Sequence, residues 1–315
     1  MFTLFARRFV SMIPVLFVVS LLVYGFMALL PGDAAVNLAG GANATPERIE
    51  AVQQELGLDE PFLEQYAHWL GNAVQFDFGA SLTTKTSVSG EIIKRLPITL
   101  SIAFGAMVVG LVIGLPAGIV AGMRSGSKTD RTVILGTTAG IAVPDFWLAM
   151  ILIWIFSVKL GWFPAVGFTR LTESPREWLK SIALPSVALG IAIAAALARQ
   201  VRGELADVMS QSYIRTAWAK GASPMRVVGK HALKNAAIPA ITMIGLRMGS
   251  LIGGTVIIEQ IFSIPGLGTY LVSAISTSDM PVIMGVTTMF VLVFVGMSLL
   301  VDVAYGLVNP KVRVS

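Results

Sequence analysis

Side chains able to do covalent or metal chemistry are scarce in this sequence. Cysteine is absent, and His68 and His231 are the only histidines. Disulfides, thiolate metal sites and cysteine nucleophiles are therefore excluded. The two histidines lie far apart, on segments expected on opposite sides of a membrane, so they form no metal site together. No Ser-His-Asp arrangement is suggested, and no cluster of His, Asp and Glu at membrane depth points to an intramembrane enzyme. No Gly-x-x-x-x-Gly-Lys-Ser/Thr phosphate loop occurs; any nucleotide chemistry belongs to another polypeptide. What remains is three charges inside long apolar blocks: Asp145, Arg247 and Asp302. Such charges cost roughly 2.5–3.5 kcal/mol on insertion scales and usually face protein or water. Arg247 is the candidate for a polar group facing a solute path, an ion pair with another helix being the alternative. Asp145 follows Val143-Pro144 and suits a kinked helix with a local hydrogen bond. Asp302 lies near the end of its block, where it can snorkel or pair.

The elements that position these residues are membrane helices. Of 315 residues, 55% are hydrophobic and only 13% charged, with mean hydropathy +0.78. Soluble domains carry about 25% charged residues, and here the apolar residues come in long blocks. A membrane-crossing helix needs about 20 of them. Six segments meet or approach this length: 9–30, 98–123, 133–158, the shorter 182–198, 236–258 and 282–308. The first follows Arg7-Arg8, but its apolar stretch is longer than a signal-peptide core, and Leu30-Pro31-Gly32-Asp33 is a poor cleavage site; it reads as a retained helix. Six spans put both termini on one side. That side holds fourteen Lys/Arg and the other eight, with Arg247 inside a span. The richer side is cytoplasmic by the positive-inside rule, which also accounts for the net charge of +5 without nucleic acid.

The loop 31–97 carries nine acidic residues against four basic ones and is expected outside. Thr45-Pro46-Glu47 opens a helix ending near Gly57; a second runs over 61–74 with Phe62, Tyr66, Trp69 and Leu70 on one face. The result is a small helical extracytoplasmic region, either a passive lid or a docking surface. The basic stretch 213–239 lies between spans four and five. Gly221 can take the left-handed conformation that ends a helix. Ser223 can cap the next, with Pro224 in its first turn. A helix, tight turn and short helix bearing Ala217, Trp218, Met225, Val227 and Val228 make a rigid knob that can pass force from a partner into a span. A plain topology-holding loop would look similar.

The residues Arg215-Thr216-Ala217-x-Ala219-Lys220-Gly221, followed by His231-Ala-Leu-x-Asn-Ala-x-Ile-Pro239, decide between these. They resemble the cytoplasmic "EAA" loop of ABC importer permeases, in the version found in dipeptide, oligopeptide and nickel permeases; the Glu and first Ala of the general pattern are absent. The resemblance to the "B"-type subunit extends through Leu30-Pro31-Gly32-Asp33, Leu56-Gly57-Leu58-Asp59, Phe78-Gly79-x-Ser81, Arg95-Leu96-Pro97-x-Thr99-Leu100 and Glu259-x-Ile261-Phe262-x-x-Pro265-Gly266-Leu267-Gly268. Arg247 departs from it, where a neutral polar residue is expected.

The resemblance implies a non-catalytic transmembrane subunit of a bacterial inner-membrane importer for di- to oligopeptides, with nickel or another small solute as the alternative. It implies a second homologous permease chain, two ABC ATPases that carry ATP and Mg2+, an external substrate-binding protein and surrounding lipid. No cofactor or metal is assigned to this chain. Residues Arg215, Thr216, Ala217, Lys220, Gly221, Ser223, Pro224 and Met225 would meet an ATPase. Pro265, Gly266, Leu267 and Gly268 break the chain after span five and read as part of an outer gate or as a surface loop, with a short helix over 269–275. The organisation is then residues 1–30 as N-terminus and first span, 31–97 as the extracytoplasmic region, and 98–315 as the permease core with its coupling loop at 199–237. Gly110, Gly114, Gly118 and Gly122 recur every four residues on the second span, and Gly245, Gly249 and Gly253 on the fifth. That spacing allows close helix approach, for tight packing or for a moving interface.

Overall fold

Helix starts follow local capping chemistry. Ser127 accepts the Asp130 amide at the head of one helix, and Ser174 accepts the Glu177 amide at the head of another, with Pro175 in the first helical position. The computed structural model describes residues 2–29, 44–47, 50, 59–221, 223 and 233–308. The helices are α1 (Phe2–Leu29), α2 (Phe62–Val74), α3 (Val88–Met123), α4 (Lys128–Ala142), α5 (Asp145–Leu152), α6 (Pro175–Met209), α7 (Ser212–Ala219), α8 (Leu233–Ile261), α9 (Leu267–Ser276) and α10 (Met280–Val308). A π-helical segment, Ile153–Lys159, continues α5. Among the described residues no β-strand is formed; Ala80 and Ser87 make one isolated bridge. Most of the first extracytoplasmic helix expected near 45–57 lies outside the described residues.

Among the described residues three helices, α3, α6 and α10, are long and apolar enough to cross a membrane, and α4 with α5 and its π-helical extension makes a fourth if counted as one span. That pair is bent by 98°, within the segment 133–158 where a kinked helix is expected at Asp145. Pro144 is the cause: it disfavours helix at Val143, which is extended at ψ 122°. The chain divides into two units, the first of residues 1–6, 99–264 and 296–315, the second of residues 7–98 and 265–295.

In the first unit α6 is the centre. Its most apolar window is 78% buried, against 39% for α3, so α6 is enclosed by protein while α3 has a face left for lipid. The enclosure works because the facing residues are small. A Cβ built on Gly114 would sit 2.7 Å from the Ala194 carbonyl oxygen, and one on Gly118 2.7 Å from that of Ala198. A Cβ on Gly110 would meet the Ile193 side chain at 2.6 Å, and one on Gly122 the Leu205 side chain at 2.8 Å. The four-residue glycine repeat is thus a packing seam along which α3 and α6 approach backbone to backbone at Gly114 and Gly118 and backbone to side chain at Gly110 and Gly122. The series on α8 behaves differently. Gly245 abuts Val301, Gly253 faces open space, and Gly254 meets Leu189.

In the second unit Phe78, Val88, Ile92, Leu267, Ala274, Val282 and Val286 form the core. The expected apolar face of α2 docks on α1. Tyr66 is buried, its ring is edge-on to Phe17 and Tyr24, and its hydroxyl lies 2.8 Å from Ser20 Oγ. Trp69 stacks on Tyr66. A buried Asp279 carboxylate accepts the Ser81 hydroxyl at 2.5 Å and the Leu82 and Thr83 amides at 3.1 and 3.3 Å, fastening this turn to the α9–α10 junction.

Candidate functional site

The helix α7 ends where the sequence places its stop. Lys220 closes it, and Gly221 takes φ +78°, a left-handed value that a side chain resists. Its amide donates to the Trp218 carbonyl at 2.9 Å. One side chain holds the helix in place: Ile214 is fully buried, and Ala217, one turn later, is half-buried. Arg215, Thr216, Lys220 and Gly221 are exposed, and 40% of Trp218 is accessible. Ser223 is exposed and in no regular element. Pro224 and Met225 lie outside the described residues. The helix is therefore an anchored ridge with cationic, aromatic and small groups outward.

Sequence reasoning missed the fastening of α6 upstream of this ridge. Arg202 donates from Nε and Nη2 to the two carboxylate oxygens of Asp130, at 2.8 and 2.6 Å. The Gly126 amide adds a bond to Asp130 Oδ2 at 2.8 Å, and Arg202 also reaches Ser125 Oγ at 3.3 Å. Asp130 is 1% exposed. The guanidinium bonds, with the Gly126 amide behind them, hold the Asp130 carboxyl down at about 2 and raise Arg202. This bidentate clamp ties the α3–α4 turn to α6, seven residues before α6 ends at Met209. The residues stand 72 positions apart, and only Ser127, as a cap candidate preceding Asp130, hints at it in sequence.

Arg247 sits midway along α8 and is exposed on the chain's surface, while Asp145 is half-buried as the first residue of α5, directly after the helix break. The two charges interact electrostatically, and α5 packs against α8. The Asp302 side chain lies outside the described ones. A further charge belongs with this set. Glu259 is fully buried in the last turn of α8, and the Thr99 hydroxyl donates to its Oε1 at 2.6 Å. Both residues stand in the motifs read from the sequence, but their pairing does not follow from them.

The segment 265–268 belongs to the second unit. Pro265 is exposed, whereas Gly266, Leu267 and Gly268 are buried, with Leu267 in the core. It is the start of α9, with Gly266 at its N-cap. Among the described residues no group of three His, Cys, Asp or Glu could hold a metal ion.

The family described as binding-protein-dependent transport system inner membrane component matches residues 114–314, and its N-terminal counterpart matches residues 1–103. This chain belongs to that family. The permease is 42% identical over 313 residues to a protein of Brucella abortus (strain 2308) named as a peptide transport system permease, covering 99% of each chain. It is 43% identical over 307 residues to the glutathione transport system permease protein GsiC of Escherichia coli (strain K12), over 98% of this chain and 97% of that one. Among solved structures it is similar to the MetNI methionine ABC transporter in inward-facing conformations, with TM-score 0.57 and 22% identity over 69% of this chain and 96% of the other. A second inward-facing form gives 0.53 and 20%, over 70% and 96%. Those two likenesses concern the fold.

Proposed function

We propose that this permease forms half of the path by which an ATP-binding-cassette importer carries di- to oligopeptides across the bacterial inner membrane. The observation that carries the substrate reading is the likeness, over nearly the whole length, to proteins named for peptide and glutathione transport. In this reading α1, α3, α4 with α5, α6, α8 and α10 are six spans, both termini are cytoplasmic, and residues 31–97 lie outside. A second, different permease chain completes the path. Two ATPase subunits bind ATP and Mg2+ and each receives a coupling ridge; here the ridge is α7 with Gly221, Ser223, Pro224 and Met225. An external binding protein delivers the solute. This chain has no catalytic role and needs no cofactor of its own. Arg247 lines the path, and 265–268 with α9 takes part in the outer gate.

The geometry of α7 supports the mechanical part. A short helix pinned by one fully buried side chain and stopped by a left-handed glycine is the kind of ridge that can pass force to its span. The test is uptake of labelled di- to oligopeptides, with nickel in parallel, in cells with and without this gene. Loss of ATP-dependent peptide uptake alone is expected. Loss of nickel uptake alone replaces the substrate; loss of neither refutes the peptide reading.

A further inference from the structure

Three features converge at one place in the first unit. The fold breaks the α4–α5 span through 98°, and the first residue after the break is a half-buried carboxylate, Asp145. The helix α8 packs against α5 and carries Arg247 at its midpoint, exposed on the chain's surface. The two opposite charges sense each other.

An exposed guanidinium halfway along an apolar helix is not left to hydrocarbon; it turns toward water or protein. The break has a related consequence. Non-helical backbone at membrane depth is tolerated where it is covered by protein or lines a water-filled cavity, and discontinuous helices are a recurrent way of building solute sites near the midplane. The ordering of burial sets the sign of the site. The carboxylate is the more enclosed member and the guanidinium the more accessible one, so an arriving solute meets positive charge first. A guanidinium presents a planar fork of donors that matches a carboxylate.

We propose that Arg247 recognises the free carboxylate of the transported solute, and that Asp145 is a positioning residue that balances and orients the guanidinium. The importer then discriminates at the permease as well as at its delivery protein: it favours solutes ending in a carboxylate over the same solutes ending in an amide. This rests on the reading of Arg247 as lining the path of a peptide importer.

The test uses the whole importer with its binding protein in proteoliposomes, supplied with labelled dialanine and, separately, labelled dialanine amide. Uptake is expressed as the acid-to-amide ratio. Because the binding protein is the same throughout, its own preference cancels when a variant's ratio is divided by the wild-type ratio. Arg247→Gln is expected to lower the ratio at least tenfold, equivalent to about 1.4 kcal/mol, chiefly by slowing uptake of the acid. Arg247→Lys, which keeps the charge, is expected to retain most of it. An unchanged ratio in Arg247→Gln, with both peptides still imported, overturns the proposal and leaves the peptide-importer reading standing. So does failure of Arg247→Gln to copurify with the second permease chain while Arg247→Lys does, because that assigns the charge to assembly. If the wild-type importer moves neither peptide, both readings fall.

Discussion

Inserting one methyl group into the α3–α6 seam tests the packing account at its tightest point. In Gly114→Ala the new Cβ would lie 2.7 Å from the Ala194 carbonyl oxygen and 3.0 Å from its Cα; in Gly118→Ala it would lie 2.7 Å from the Ala198 oxygen and 2.8 Å from Val201 Cβ. Ordinary contact begins at 3.4 Å, so each substitution falls short by about 0.7 Å. The obstructing atoms are mostly backbone and cannot rotate away. The helices must separate or α3 must turn, and either loosens the neighbouring contacts at Gly110 and Gly122. A gap of 0.5–1 Å already forfeits roughly a quarter to a half of each dispersion well, and overpacking costs about 1–3 kcal/mol. Controls lie in the same chain. Gly136 on α4 and Gly203 on α6 have nothing within 4 Å of a built Cβ, so Ala there should be neutral or gain up to about 1 kcal/mol of helix propensity. Thermal unfolding of the purified complex in detergent, followed by tryptophan fluorescence, should separate the two pairs with opposite sign. If Gly114→Ala and Gly118→Ala unfold at the same temperature as Gly136→Ala and Gly203→Ala, the close-packed seam is wrong.

Gly221→Val places a β-branched residue at φ +78°, a conformation costing such residues at least roughly 1–2 kcal/mol; the complex should still assemble and hydrolyse ATP but import poorly, read as uptake per ATP. Asp130→Asn removes the clamp on Arg202. The folded-state carboxyl is depressed to about 2 from an ordinary 3.8, so its stabilisation is present above the ordinary value and is lost as pH falls toward 2. Wild type should therefore unfold at higher temperature than Asp130→Asn at pH 7, and the gap should close between about pH 4 and pH 2 in a detergent melt series. Ser278 ends α9 at φ +53°, with the Asp279 amide reaching back to the Ala274 carbonyl at 2.9 Å. That is a glycine-type helix stop occupied by serine, so Ser278→Gly should stabilise by roughly 1 kcal/mol, measured in the same melts.

What the sequence makes legible follows from local rules. The stop at Gly221, the helix on Phe62–Val74 and the glycine spacing from Gly110 to Gly122 each depend on residues within a few turns of one another, whereas the helix that meets those glycines does not follow from them. The kink beside Asp145 is legible because Pro144 acts on its immediate neighbour, but the 98° size of the bend does not follow from that local rule. The α8 glycines show the limit of periodicity. Gly245 meets Val301 whereas Gly253 has nothing within 4 Å, so a regular spacing does not define one face in contact. The Asp130–Arg202 clamp and the Thr99–Glu259 bond join residues 72 and 160 positions apart. Each member, read alone, is an ordinary surface charge or helix-end polar group; only the fold brings them together.

The most direct test of the account is a contact between α7 and an ATPase subunit. The chain has no cysteine, so Arg215→Cys introduces the permease's single thiol on the exposed side of the ridge, and Leu63→Cys supplies a control on α2, where Leu63 is 70% exposed. With a short thiol-to-amine crosslinker on the assembled importer, position 215 should join to the ATPase subunit and position 63 should not. A crosslink from position 63 and none from position 215 would contradict the assignment of α7 as the element that couples ATP hydrolysis to import.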